Sequence, residues 1–409
     1  MRKKTMKKAA RTAKKHKGAV ITIILILVVI IVVIGQLYLR VDSVHSFVDD
    51  LIVKITSSGV KDTPKSNVSG RQTIPTVTTY GDNDLSIHFL ELGNNNTGDS
   101  IYIKAGDIDI LIDAGSRQNS SDAIAAYVDN YCTDGKLEYV IATHAHQDHI
   151  AGFVSTKSRP GIFARYECGT IIDFTLTNAK TTVYNNYVAA RDQEVAAGAM
   201  HYTALQCYNE TDGAQRVYSL GEGMMMTILY QTFYETKSSD ENNYSVCVLF
   251  THGAKNYLFT GDLEAEGEAS LVANNELPEV ELFKAGHHGS YTASTETLLK
   301  VIKPKIVCVC CCAGAVEYTQ TPANTFPSQA FVDRVALYTD AVYVTTVGMV
   351  EYSEEKGQYE DIGFASMNGV ITVLSSAGTV TVSCSNNDTK LKDTDWFKAN
   401  RTCPAAWSG

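Results

Sequence analysis

The sequence predicts a mixed α/β domain behind one membrane-spanning helix, and three observations carry that expectation. Short apolar runs such as Leu137 to Ala142 and Lys305 to Cys312 end in turn residues, as buried strands do. Between such runs lie longer segments, Ser121 to Tyr131 and Thr182 to Ala197, that suit helices packed on a sheet. Ahead of them all stand 22 residues, Gly18 to Leu39, without a single charged side chain. The chain has 409 residues, enough for one large domain or two average ones.

The first elements set a topology. Residues 1–17 hold nine Lys or Arg and no acid, and residues 18–39 are long enough to cross a bilayer as a helix. A basic flank stays on the cytoplasmic side, which puts everything after Arg40 outside. A cleaved signal peptide is the rival expectation, but its apolar core is normally shorter and Gly35 to Arg40 makes a poor cleavage site. The expectation is a signal anchor, single-pass in the cell membrane, with the lipid bilayer as its partner. Residues 40–84 come next. Val44, Phe47, Val48, Leu51, Ile52 and Ile55 recur at helical spacing, and residues 57–84 read as a polar stalk with Pro64 and Pro75. Residues 85–384 form the expected globular domain. Residues 385–409 form a tail, docked by Trp396, Phe397 and Trp407. No protein partner is deducible.

Charge narrows the partners. Nine of the 35 basic residues precede Gly18 and none of the 45 acidic ones do, so the outer part carries 26 basic against 45 acidic groups, a formal −19. Nucleic-acid backbones are bound largely through Lys and Arg. An acidic outer part therefore weighs against tight, non-specific duplex binding, although net charge is not a map of the surface. The ten Cys suit a compartment that permits disulfides, and Cys384 with Cys403 is the expected pair. Cys308, Cys310, Cys311 and Cys312 lie in one apolar run and read as small buried side chains rather than a thiolate zinc site, whose usual CxxC spacing is missing.

Within the domain, Ser86 to Gly93, Ser100 to Lys104 and Asp109 to Gly115 read as successive strands. The run Leu137 to Ala142 then meets Thr143-His144-Ala145-His146-Gln147-Asp148-His149-Ile150-Ala151-Gly152. His144 and His146 are two apart, which in an extended segment puts both imidazoles on one side, able to grip one ion. Asp148 and His149 follow where the chain must turn, offering ligands to a second ion. Three His and one Asp within six residues point to a metal site. Gly169 to Phe174 and Gly223 to Thr232 read as further strands, the latter with Met224, Met225 and Met226 as core packing. Two strands joined near Gly253, Asn242 to Phe250 and Lys255 to Glu264, place Asp262 at a strand end, where a helix N-cap before Leu263 to Ala273 is its plain alternative role. Another strand ends in His287-His288-Gly289-Ser290. Residues 292–302 and Ser328 to Leu337 read as helices, Ala341 to Thr346 as a strand, and Gly369 to Leu374 with Thr379 to Cys384 as a closing hairpin.

The HxHxDH stretch resembles the signature of the metallo-β-lactamase superfamily. The region from Ser86 to Cys384 resembles, more narrowly, the extracytoplasmic hydrolase domain of ComEC-type DNA-uptake proteins. Gly98-Asp99-Ser100, Leu111-Ile112-Asp113-Ala114-Gly115, Asn243-x-Ser245, Thr260-Gly261-Asp262 and His287-His288-Gly289-Ser290 carry that likeness. It implies a four-layer αββα sandwich with the ligands on loops at one edge. It implies His144, His146 and Asp262 on a first ion, and Asp148, His149, Asp262 and His287 on a second. Asp113 would fix and polarise ligand imidazoles. His288 would serve as hydrogen-bond or proton donor, and Asp148 or Asp262 would orient the attacking water. Zinc is the expected metal for both ions, with manganese open. The implied reaction is metal-dependent hydrolysis of a phosphoester in a cell-envelope polymer or nucleic acid, with a competence-linked nuclease as one alternative. Two departures motivate a different alternative, a non-catalytic surface binding module. The family's middle Gly-His motif is absent, with His201, whose context Gly198 to Tyr202 reads as an ordinary strand start, as the candidate weighed in its place, and Phe326 stands where a later His is usual.

Overall fold

The computed structural model describes Thr78 and residues 80–408. The expected membrane helix, the amphipathic segment 44–55 and most of the stalk lie outside the described residues. Among the described residues, no helix is long and apolar enough to cross a membrane.

The strands appear in chain order as β1 (Leu85–Phe89), β2 (Ile101–Ala105), β3 (Ile108–Ile112), β4 (Lys136–Ile141), β5 (Glu167–Asp173) and β6 (Met200–Thr203), followed by β7 (Val217–Gly221), β8 (Met224–Leu229), β9 (Cys247–His252) and β10 (Lys255–Phe259). Then come β11 (Leu282–Lys284), β12 (Ile306–Ala313), β13 (Val342–Ser353), β14 (Gln358–Ser366), β15 (Ile371–Ser376) and β16 (Thr379–Cys384). They form two eight-stranded mixed sheets, ordered β16-β15-β1-β2-β3-β4-β5-β6 and β14-β13-β12-β11-β10-β9-β8-β7.

Alternation along single strands shows why the sheets stack. On β9, Val248 and Phe250 join a core shared with the first sheet, while Cys247 and Leu249 join a second core on the opposite face. Phe89 of one sheet stacks on Phe259 of the other at 6.2 Å between ring centroids. The second core is closed by Leu271, Leu298, Leu299, Phe331, Val332 and Val335, from the helices Ala265–Asn274, Glu296–Ile302 and Gln329–Val335. Ile124 and Val128, from the helix Ser120–Val128, and Tyr187, from Thr182–Ala197, cover the first sheet. The result is an α/β sandwich with helices outside both sheets.

The cysteine run behaves as its pattern predicts. Cys308 and Cys310 enter the shared core, and Cys311 faces the helix side. The expected Cys384–Cys403 pair is corrected, because all ten Cys are unpaired. Cys384 ends a strand at the edge of the first sheet, whereas the tail packs Phe397 and Trp407 into the helix-side core of the second. The Arg401 guanidinium pins that tail by donating to the carbonyls of Pro327 at 2.9 Å and Thr325 at 2.7 Å. Strands β7 and β14 were not expected. The strand expected over Ala341 to Thr346 continues to Ser353 and turns back into β14.

Candidate metal centre

Strands β3 and β4 run parallel with Ile112 beside Ile141. Their ends therefore deliver Asp113 and Thr143 side by side. Asp113 accepts from the Thr143 backbone N–H at 2.8 Å and from the Thr143 hydroxyl at 2.7 Å. Its Oδ2 also lies 2.8 Å from His149 Nδ1. A carboxylate on Nδ1 fixes the ring and leaves Nε2 to face the cluster. After a bend at Ala145, His146 takes an extended backbone at the N-cap of the short helix Gln147–Ile150. His144 and His146 share a side, with His144 Nε2 2.9 Å from His146 Nδ1. The helical turn then swings Asp148 and His149 toward the second sheet. Gly152 closes this turn against Ala114, where a Cβ would lie 2.0 Å from the Ala114 carbonyl oxygen.

The second sheet supplies the rest. Asp262 follows β10, and its Oδ2 lies 3.0 Å from His149 Nε2 and 3.1 Å from His288 Nε2. Its backbone N–H donates to the Ser245 hydroxyl at 3.1 Å. His287 and His288 both adopt left-handed backbone angles, φ 45° and 53°, a strain tolerated where the surroundings enforce it. The consequence corrects the expected ordering of the pair. His288 is the one buried in the cluster, with Nε2 also 3.3 Å from Asp148 Oδ2. His287 turns outward, its Nδ1 3.0 Å from Glu264 Oε1.

Three expectations meet different surroundings. His201 lies on β6 with Nε2 2.8 Å from Asp173 Oδ1, beside Arg191 and away from the cluster. Phe326 packs its ring 5.6 Å from His287 and 5.7 Å from His288, so it covers the histidines with an apolar face. Asp262 is not the N-cap of the helix that follows; Glu264 occupies that position.

Sequence reasoning missed three neighbours. Lys284 is 1 % exposed, yet its ammonium donates to Asp262 Oδ1 at 3.1 Å and the Gly261 carbonyl at 2.9 Å, and pairs with Asp99. A charged residue inside the apolar strand Leu282–Lys284 was the available signal. Asp99 lies in the Gly98-Asp99-Ser100 turn and also sits 3.2 Å from His288 Nδ1. Tyr318 donates its hydroxyl to Asp148 Oδ2 at 2.8 Å, a contact across 170 residues that no local pattern announces.

The electrostatics follow from this crowding. Burial disfavours the charged imidazole of His149, but the Asp262 and Asp113 carboxylates outweigh it and hold its pKa well above the ordinary range. Burial likewise opposes charge on His288, where Asp262 and Asp99 win in the same way. His144 goes the other way, lowered well below the ordinary value by burial and by neighbouring His149 and His146. Burial would raise Asp262, yet His149, His288 and Lys284 keep it well below the usual carboxylate range.

This donor set fits a divalent cation. Ligand atoms of Asp148, His149, Asp262 and His288, all buried, lie within 4.8 Å of one another. The buried His288 Nε2 has no hydrogen-bond partner of acceptable geometry, although two carboxylates stand beside it. Buried polar atoms rarely stay unsatisfied without reason, and an ion shared by those carboxylates would satisfy it. Imidazole with carboxylate oxygen is a donor mixture that zinc and several transition metals accept.

The family model of the metallo-β-lactamase superfamily matches residues 93–162 and 240–313. Those two blocks contain every member of the cluster. Recombination protein 2 of Haemophilus influenzae is 29% identical over 107 residues, covering 26% of this chain and 12% of that protein. ComE operon protein 3 of Bacillus subtilis is 33% identical over 69 residues, covering 16% of this chain and 9% of that protein. The chain thus matches only about a tenth of the length of these relatives. Among solved structures, the metallo-β-lactamase fold protein YhfI from Bacillus subtilis aligns with a TM-score of 0.36 at 11% identity, covering 64% of this chain and 95% of that one. CmlA, a diiron β-hydroxylase from Streptomyces venezuelae, aligns at 0.32 and 12%, covering 63% and 48%.

Proposed function

We propose that this chain, which carries a metallo-β-lactamase superfamily domain, is a ComEC-type metal-dependent hydrolase that cleaves a phosphoester. The observation that carries this reading is the buried group of Asp148, His149, Asp262 and His288. Those four residues would hold one divalent ion, and His144, His146 and Asp262 would hold a second, without a further histidine. Zinc is the first choice and manganese the second. When bound, such a pair lowers the pKa of a water and polarises the phosphoryl group.

The chain's own residues organise the rest. Asp113 orients His149, and Lys284 offsets the charge of Asp262 and Asp99. Asp148 orients the attacking water. His287, held by Glu264 and a fifth exposed, takes the substrate-facing hydrogen-bond role first expected of His288. The N-terminal segment anchors the domain on the outer face of the cell membrane, where a cell-envelope polymer is the substrate class in reach. A nuclease is the second reading, favoured by the recombination and competence-operon names of the two relatives and opposed by the acidic outer chain.

The test is metal analysis of the purified full chain, paired with hydrolysis of bis-p-nitrophenyl phosphate with zinc or manganese added. Metal-dependent turnover that disappears in His146→Ala and Asp262→Ala is the expected result. Full activity in either variant sinks the reading. Absence of both metal and turnover would favour the surface binding module.

A further inference from the structure

The loop between β12 and the helix Gln329–Val335 reaches over the cluster and is held from several sides. Val316 donates its N–H to Asp361 Oδ1 at 2.8 Å. The Gln320 side chain makes two bonds to the backbone of Tyr359 on β14, at 3.0 and 3.1 Å. Glu317 accepts from the Thr97 N–H at 3.0 Å and pairs with Arg117 at 2.6 Å. The ring of Tyr318 lies 5.4 Å from that of Phe326, which in turn covers both histidines. The residue so fixed is half exposed (49 %), yet its hydroxyl is aimed inward at Asp148 Oδ2. An ordinary surface tyrosine turns its hydroxyl to water.

We propose that Tyr318 is a positioning residue, whose hydroxyl fixes the Asp148 carboxylate for the ion shared with His149, Asp262 and His288. The inference rests on the metal reading above and deepens it. Around Asp148, His288 offers only an ion-pair contact at 3.3 Å, and Tyr318 is the side-chain hydrogen-bond donor seen on this carboxylate. Without that donor the carboxylate can rotate away. Groups that orient metal ligands are typically worth about 10- to 100-fold in metal affinity. β13 and β14, which the sequence pattern did not announce in full, acquire a purpose here. They are the strap that keeps the tyrosine loop in place.

Tyr318→Phe removes one hydroxyl from a half-exposed side chain, so the fold should survive. Isothermal titration of chelator-treated full-length protein with zinc or manganese reads ion affinity directly. The expected result is one ion bound about tenfold or more weakly and the other unchanged. With bis-p-nitrophenyl phosphate at limiting metal, kcat falls while KM holds. Gln320→Ala retains the hydroxyl but cuts the strap, and should show a smaller loss in the same ion. Unchanged affinity for both ions in Tyr318→Phe overturns the inference, whether or not KM moves. A wild-type chain that takes up no ion overturns the metal reading itself, and this inference falls with it.

Discussion

Replacing Lys284 with methionine isolates one buried charge pairing. The side chain keeps its length and its apolar stem, but the ammonium between Asp99 and Asp262 disappears. Both carboxylates and the lysine are 1 % exposed, so solvent cannot take over. Removing one partner of a buried ion pair typically costs about 3–5 kcal/mol, because a charge is left uncompensated. Asp262 retains His149 and His288 as neighbours, which places the expected loss near the lower end, about 3 kcal/mol in the metal-free protein. Urea unfolding in the presence of a chelator measures it. A loss of that size should move the midpoint down by about 1 M or more. Saturating zinc supplies Asp262 with another counter-charge, so the difference from wild type should shrink. A midpoint within about 0.2 M of wild type, with chelator, would refute the reasoning. So would an equal shift with and without zinc.

Two further outcomes follow from the same geometry. His149 and His288 have raised pKa values in the metal-free fold, so their pairing with the carboxylates stabilises fully below the unfolded imidazole value of about 6.5 and is lost as pH climbs through the raised values. An ion must displace those protons, so affinity should increase with pH across that window. Titration calorimetry in two buffers of different ionisation heat should register the release, and no proton release at neutral pH would contradict the charged imidazoles. Gly152→Ala drives a Cβ into the Ala114 carbonyl, which is backbone and cannot rotate aside. A destabilisation of about 3 kcal/mol or more is expected from soluble yield and unfolding midpoint, and a wild-type midpoint would show that the turn has slack.

The first histidine motif was legible as a cluster because its side chains are local. His144, His146, Asp148 and His149 need only a strand end and one helical turn to converge. A strand with an uninterrupted apolar run, such as β12, was legible for the same reason. The choice between His287 and His288 was not, because two successive left-handed residues rotate the pair by an amount that no residue pattern encodes. Lys284 and Asp99 meet across 185 positions, and each alone reads as a strand end or a turn. Strand β14 escaped because half its side chains face water and its alternation is weak, with Ile362 exposed and Asp361 turned inward toward Val316. His201 was correctly read as a strand residue, and Asp173 explains why it stays there.

The cluster draws its members from both halves of the sandwich. His144 through His149 leave the first sheet, Asp262 and His288 leave the second, and the Val246 N–H donates to the Thr143 carbonyl at 2.9 Å across the join. An ion held by all of them would act as a rivet through two plates. Its affinity would then gauge how tightly the plates are pressed together. A substitution deep between them, at Phe89 or Phe259 and far from any ligand, would be read out as weaker ion capture. Ion capture, in turn, would stiffen a seam that no disulfide reinforces.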